Sequence, residues 1–150
     1  MRHCIAVIAV TIGVAVGTSA GAHHSHFYDE CKGVDLEGRV ERVEFKNPHN
    51  LFVLKLDDGT AYDIDWVNVT WLTRDGIIDA AREAVVPGAR VAVSGYLIKD
   101  VAELRKTVRR FKGDVNPRTV EARRLRRVDG SFNWPMPVSP RAIATNCEAK

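Results

Sequence analysis

Residues 34–45 read Val34-Asp35-Leu36-Glu37-Gly38-Arg39-Val40-Glu41-Arg42-Val43-Glu44-Phe45. Val34, Leu36 and Val40 alternate with charged residues, and Gly38 holds the remaining in-phase position. At Glu41-Arg42 the phase slips by one, and Val43 and Phe45 carry the apolar face onward. A period of two places alternate side chains on opposite faces of a strand. One slip inside it marks an extra residue, a β-bulge, which bends the strand. The stretch therefore predicts one long, bent first strand.

Downstream, Asn47-Pro48-His49-Asn50 makes a turn, because Pro48 fixes φ and lacks a backbone donor. Leu51 to Leu56 is apolar at nearly every position and predicts a second strand covered on both faces. Asp57-Asp58-Gly59-Thr60 is a hairpin signal of type I′, in which both central positions take positive φ. Tyr62, Ile64 and Trp66 alternate along a third strand. Asn68 is placed to cap a short helix that Gly76 stops, and Ile77 to Ala84 is a weaker helical stretch. After Pro87-Gly88, Val91 to Ile98 forms a fourth strand. Asp100 and Glu103 resemble a capping box, and Val101, Leu104, Val108 and Phe111 share one helical face, so a further helix is expected to end near Gly113. Thr119 to Val128 is a fifth strand, ending at Asp129-Gly130. The expected fold is mainly β: a small five-stranded OB-like barrel with one or two short helices, spanning residues 34–130.

The ends of the chain point to export. Met1 and Arg2 precede an uncharged apolar run from Cys4 to Val16, followed by the small residues Gly17 to Ala22. This is the pattern of a cleavable signal peptide over residues 1–22. The apolar run is only about a dozen residues, against the roughly 20 a membrane-spanning helix needs, so no transmembrane anchor is expected after processing. Cleavage after Ala22 leaves His23 first, and cleavage after Ala20 leaves Gly21-Ala22-His23. Residues 23–33 read as a His-containing leader, and residues 131–150, with Pro135, Pro137 and Pro140, as an irregular tail. Periplasmic or secreted location in a bacterium follows. Loss of Cys4 with the signal leaves Cys31 and Cys147, an even pair expected to form a disulfide in an oxidising compartment. Closing a loop that long is worth roughly 4–5 kcal/mol in the chain-entropy model.

Processing lowers the formal net charge from +3 to +2, too near neutral for general polyanion binding, and nucleic acid is not an expected partner. Basic residues nonetheless gather in the C-terminal third. Arg123, Arg124, Arg126 and Arg127 make a candidate face for an anionic glycan, a lipid surface or an envelope protein.

The residues most suited to chemistry are His23, His24, His26 and His49. Neutral imidazole is a common ligand for copper and zinc. If His23 is first, its α-amino group and imidazole can hold one metal together. If Gly21 is first, the amine, two backbone amides and His23 form a square-planar nitrogen set suited to Cu(II). A bridged Cys31 and Cys147 supply no thiolate, which disfavours a Cys-rich zinc site. Cu(II) is therefore the expected cofactor. A straight first strand would hold His49 several tens of ångströms from the leader, at about 3.3 Å per residue, so a shared site requires the leader to fold back.

His23-His24-Ser25, the Val34 to Val40 alternation and Asn47-Pro48-His49, taken in order, resemble a set of small exported bacterial proteins that begin Ala-His-His-Ser and are catalogued as a domain of unknown function. The Asp58-Gly59 hairpin, Trp66, Pro87-Gly88 and Val91 to Gly95 extend the likeness over roughly the first two-thirds of the mature chain. The resemblance implies export and a small β domain, and it singles out His23, His24 and His49. This chain departs from the pattern at His26, where an apolar residue is usual, in the Val101 to Phe111 insertion, and in its Cys-containing tail.

The sequence holds no Gly-x-Ser-x-Gly elbow, no His-Glu-x-x-His and no phosphate loop, and no catalytic residue is assigned. Turn chemistry accounts for Asp57 and Asp58, and the solvent face of a strand for Asp63 and Asp65. Trp66, Trp71 and Trp134 have the chemistry to stack on a sugar, although Trp66, in phase with Tyr62 and Ile64, reads as core. Two functions follow: a metal-binding protein using the histidines, or a non-catalytic envelope-binding module using the arginines.

Overall fold

The computed structural model of the chain describes residues 27–108 and 113–135. The expected signal, His23, His24, His26, Phe111 and Cys147 lie outside them. The elements are β1 (Tyr28–Glu44), β2 (Asn50–Lys55), β3 (Ala61–Trp66), α1 (Val69–Arg74), α2 (Ile78–Ala84), β4 (Arg90–Ile98), α3 (Val101–Thr107), β5 (Thr119–Arg127) and β6 (Asn133–Pro135).

The bend in β1 organises the barrel. Its second half pairs antiparallel with β2 and its first half with β4. The register on β2 steps from Val40–Leu54 to Arg42–Val53, leaving Glu41 as the extra residue, so the bulge sits where the sequence phase slips. The strand order is β3-β2-β1-β4-β5-β6, and a parallel pairing of β3 with β5 closes the first five strands into a ring. A mainly-β, OB-like barrel results. β5 divides its outer edge: Thr119 to Glu121 pair with β3, and Arg124 to Arg126 pair with β6.

Two glycines permit the close strand crossings. A Cβ on Gly38 would lie 2.3 Å from the Lys55 carbonyl oxygen, and one on Gly95 would lie 2.0 Å from that of Glu121. Gly95 also marks the register shift between β4 and β5.

Alternate residues fill the barrel: Leu54, Ile64, Val91, Val93, Val120 and Leu125 are all fully or almost fully buried. Trp66 is the hub. Its ring meets Phe45, Phe52, Phe132 and Trp134 edge-on, at centroid distances from 5.6 to 6.5 Å, the arrangement that brings ring edges to ring faces. Trp134 is therefore a core residue, whereas Trp71 is 38% exposed. Leu72, Ala81, Ala84 and Val85 bring α1 and α2 into the same core.

Local signals act as the sequence predicts at the helix starts. Asn68 Oδ1 accepts the Trp71 N–H at 2.9 Å and Asp100 Oδ1 accepts the Glu103 N–H at 2.7 Å, each satisfying one of a helix's orphan donors. Four local expectations are corrected. α3 stops at Thr107 because Val108 is extended, short of Gly113. In the β2–β3 loop, Gly59 N–H donates to Leu56 C=O and Leu56 N–H to Thr60 C=O. That is a three-residue loop with left-handed Gly59 (φ 85°), not a two-residue type I′ turn. β2 is not covered on both faces throughout, since Leu51 is 38% exposed. Finally, strand structure begins at Tyr28, inside the expected leader, and β6 falls inside the expected irregular tail.

Candidate functional site

His49 is held by the turn that precedes β2. The Asn47–Pro48 peptide is cis, and Asn47 Oδ1 accepts from the Thr70 N–H and hydroxyl at 3.4 and 3.3 Å, tying the turn to the start of α1. Asn50, fully buried, accepts the Lys46 N–H at 2.8 Å and donates its amide to the Val67 carbonyl. A buried amide satisfied on both sides fixes the backbone around it. The His49 ring is thereby delivered to the outer face of β3.

There it meets Asp65. Asp65 Oδ1 lies 2.6 Å from His49 Nδ1, and Asp65 Oδ2 accepts the Tyr28 hydroxyl at 2.5 Å. One carboxylate thus joins the start of β1 to the turn before β2. The Asp65–His49 approach is close but not collinear with a ring N–H, since Asp65 Oδ1 is buried without an aligned donor. A separation this short between an imidazole nitrogen and a carboxylate oxygen still requires a proton between them, because two lone pairs there repel.

The neighbouring strand adds a second ion pair. Glu121 stands beside Asp65 in the β3–β5 register, and Arg123 Nη2 lies 2.7 Å from Glu121 Oε2. The Arg123 guanidinium also sits 5.6 Å from the Tyr96 ring centre, within cation–π range. Burial pushes the Glu121 carboxyl above its usual range, with the Asp65 charge adding to the rise and Arg123 opposing it. Burial, and then the Asp65 charge and hydrogen bond, drive the Tyr28 hydroxyl far above its ordinary value, so Tyr28 remains an O–H donor at any physiological pH.

Tyr28 is 6% exposed, and the Lys99 N–H donates to the Phe27 carbonyl at 2.9 Å. The chain is therefore fastened just two residues after His26. His23, His24 and His26 lie outside the described residues. Among the described residues, no three His, Cys, Asp or Glu side chains converge to hold a metal.

The four arginines do not gather into one patch. Arg123 turns to Glu121 and Tyr96, and Arg127 pairs with Asp129 at 2.9 Å. Arg124 and Arg126 instead edge a groove of about 350 Å³ across β1, β4 and β5. Its floor is Ser94 and Ala92, and its opposite rail is Asp35 and Glu37. Acid faces base across small residues, so the groove has two charged rails of opposite sign. Among the described residues no helix is long and apolar enough to cross a membrane.

Asp65 is the functional-site residue that sequence reading misses. Alternation places it correctly on the outer face of β3 but takes that face to be solvent. The only local hint is a carboxylate one residue from the core tryptophan.

Among solved structures, the S. pombe Stn1–Ten1 complex is similar at a TM-score of 0.42 and 11% identity, covering 65% of this chain and 58% of that one. No curated protein matches the chain. Residues 12–106, well over half of the sequence, match the model of the Family of unknown function (DUF6152), and the chain belongs to that family.

Proposed function

We propose that this is an exported, non-catalytic β-barrel protein that binds Cu(II) through its N-terminal histidines together with His49. The observation that carries the reading is that Tyr28 and His49 share Asp65. The bend of β1 and the closure of the ring bring the root of the leader to within one carboxylate of the turn histidine. The need for the leader to fold back across a long straight strand is thereby removed. From Tyr28 to His23 is five residues, a reach of about 17 Å when extended, ample for the leader amine and imidazoles to approach the His49 ring.

Three further elements belong to the same proposal: cleavage of residues 1–22, periplasmic or secreted location, and a Cys31–Cys147 disulfide. Cys31 is disulfide-bonded, which supports the last of these. The test uses protein secreted with its native N-terminus, sequenced from that end and titrated with Cu(II). Tight binding, lost in His23→Ala/His24→Ala and lost when one extra residue precedes the mature N-terminus, is the expected result. Binding equal in all three proteins refutes the reading.

The second reading, an envelope-binding module for an anionic glycan, lipid or protein, draws on the exposed Arg124 and Arg126 of the groove. It predicts salt-sensitive binding abolished by Arg124→Glu/Arg126→Glu. Binding unchanged at high salt counts against it.

A further inference from the structure

We infer that Asp65 is a positioning residue that commits His49 to metal binding through Nε2. The inference rests on the copper reading above and adds to it the donor atom and the group that selects it. An imidazole binds a metal through whichever nitrogen carries no proton, and the hydrogen-bond partner of the other nitrogen decides which that is. At 2.6 Å, Asp65 Oδ1 claims the proton on His49 Nδ1, leaving the Nε2 lone pair unprotonated on the far side of the ring.

Both oxygens of Asp65 are occupied. Oδ1 faces the ring and Oδ2 takes the Tyr28 hydroxyl. Asp65 is therefore an orienting group rather than a ligand. The Tyr28 contact keeps the carboxylate from rotating away from the imidazole, and Asp65 and Glu121 hold adjacent places on β3 and β5. Such a carboxylate–imidazole arrangement fixes the tautomer and the ring plane and raises the basicity of the donor nitrogen. His49 keeps about a quarter of its side-chain surface open, so the ring is anchored on one side and accessible on the other. The leader begins beside this same carboxylate, so the ordering contact and the ligands expected from the N-terminus meet at one place.

The experiment combines two readouts on protein with the native N-terminus. In the metal-free wild type, ¹⁵N shifts of the His49 ring should report Nδ1 protonated and Nε2 bare. In Asp65→Asn that preference should be lost, while circular dichroism and the Tyr96 environment stay unchanged. Cu(II) affinity should fall tenfold to a hundredfold in Asp65→Asn, the usual range for loss of an outer-shell partner, and as far or further in His49→Gln. Tyr28→Phe should leave the tautomer in place, which separates orientation by the carboxylate from general loosening. Wild-type protein that binds Cu(II) while Asp65→Asn and His49→Gln bind equally well overturns this inference and leaves the copper reading standing. Loss of affinity in His49→Gln without loss in Asp65→Asn, or a His49 ring protonated on Nε2 in the wild type, also overturns it. Wild-type protein with its native N-terminus that does not bind Cu(II) overturns both.

Discussion

Gly95→Ala should cost far more than one methyl group ordinarily does. The new Cβ would stand 2.0 Å from the Glu121 carbonyl oxygen, 2.9 Å from its carbon and 2.9 Å from Val120 Cγ1. A comfortable carbon–oxygen separation is about 3.3 Å, so backbone must yield by more than 1 Å. Val120 is fully buried and cannot rotate into open space. Overpacking of this kind costs about 1–3 kcal/mol, and displacement of a paired strand places Gly95→Ala at the upper end. Reduced freedom of the unfolded chain returns only about 0.4–1 kcal/mol. A net loss of about 2 kcal/mol corresponds to a fall in Tm of roughly 8–16 °C for a domain of this size. Gly33→Ala is the matched control, because its Cβ would come no nearer than 4.0 Å to the Gly95 carbonyl oxygen. It should melt at or slightly above the wild-type temperature. Differential scanning calorimetry on the two variants decides the matter. A Gly95→Ala protein melting within about 2 °C of wild type, on the same scale of a few degrees per kcal/mol, would show that the β4–β5 crossing has slack and that the steric argument is wrong.

Asn50→Ala strands the Lys46 N–H and the Val67 carbonyl in the interior, at roughly 1–3 kcal/mol for each group; faster amide exchange at Lys46, measured by NMR, should accompany the loss. Trp66→Ala removes the ring that four other aromatic side chains surround and should destabilise by about 3–5 kcal/mol in chemical denaturation. The Ser131 hydroxyl and backbone N–H, with Arg127, hold Asp129 at about 2. Its folded pKa lies below its unfolded one, so its contribution is complete above about pH 4 and disappears as the pH falls toward 2. The gap in denaturation midpoint between wild type and Asp129→Asn should therefore narrow over that interval, and a gap that widens there would contradict the assignment.

The barrel was legible wherever its causes are local. The slip at Glu41-Arg42 locates the bulge, the alternation of Tyr62, Ile64 and Trp66 locates β3, and Asn68 and Asp100 start helices because a short side chain can reach back to a free N–H. Legibility stopped where the cause is a distant partner. Tyr28 to Lys32 carry no alternation, because Tyr28 is buried on the outside of the barrel by groups from β3 rather than by its core. Asn133-Trp134-Pro135 contains a proline and spans only three residues. Nothing local marks it as a strand, and pairing with β5 together with contact to Trp66 makes it one. Asp65 shows the same limit within the candidate site. Periodicity reports that a side chain points outward, whereas ring closure decides what waits there.

The division of the β5 edge bears on how this polypeptide can be shortened. A boundary set at Gly130, where compositional change invites one, would amputate Phe132 and Trp134. Two faces of the central indole would be left against solvent, and the carbonyls and amides of Arg124 to Arg126 would become a template for another molecule's strand. Preparations trimmed there should self-associate and stick to other unfolded chains, whereas those carried through Pro135 keep that flank sealed.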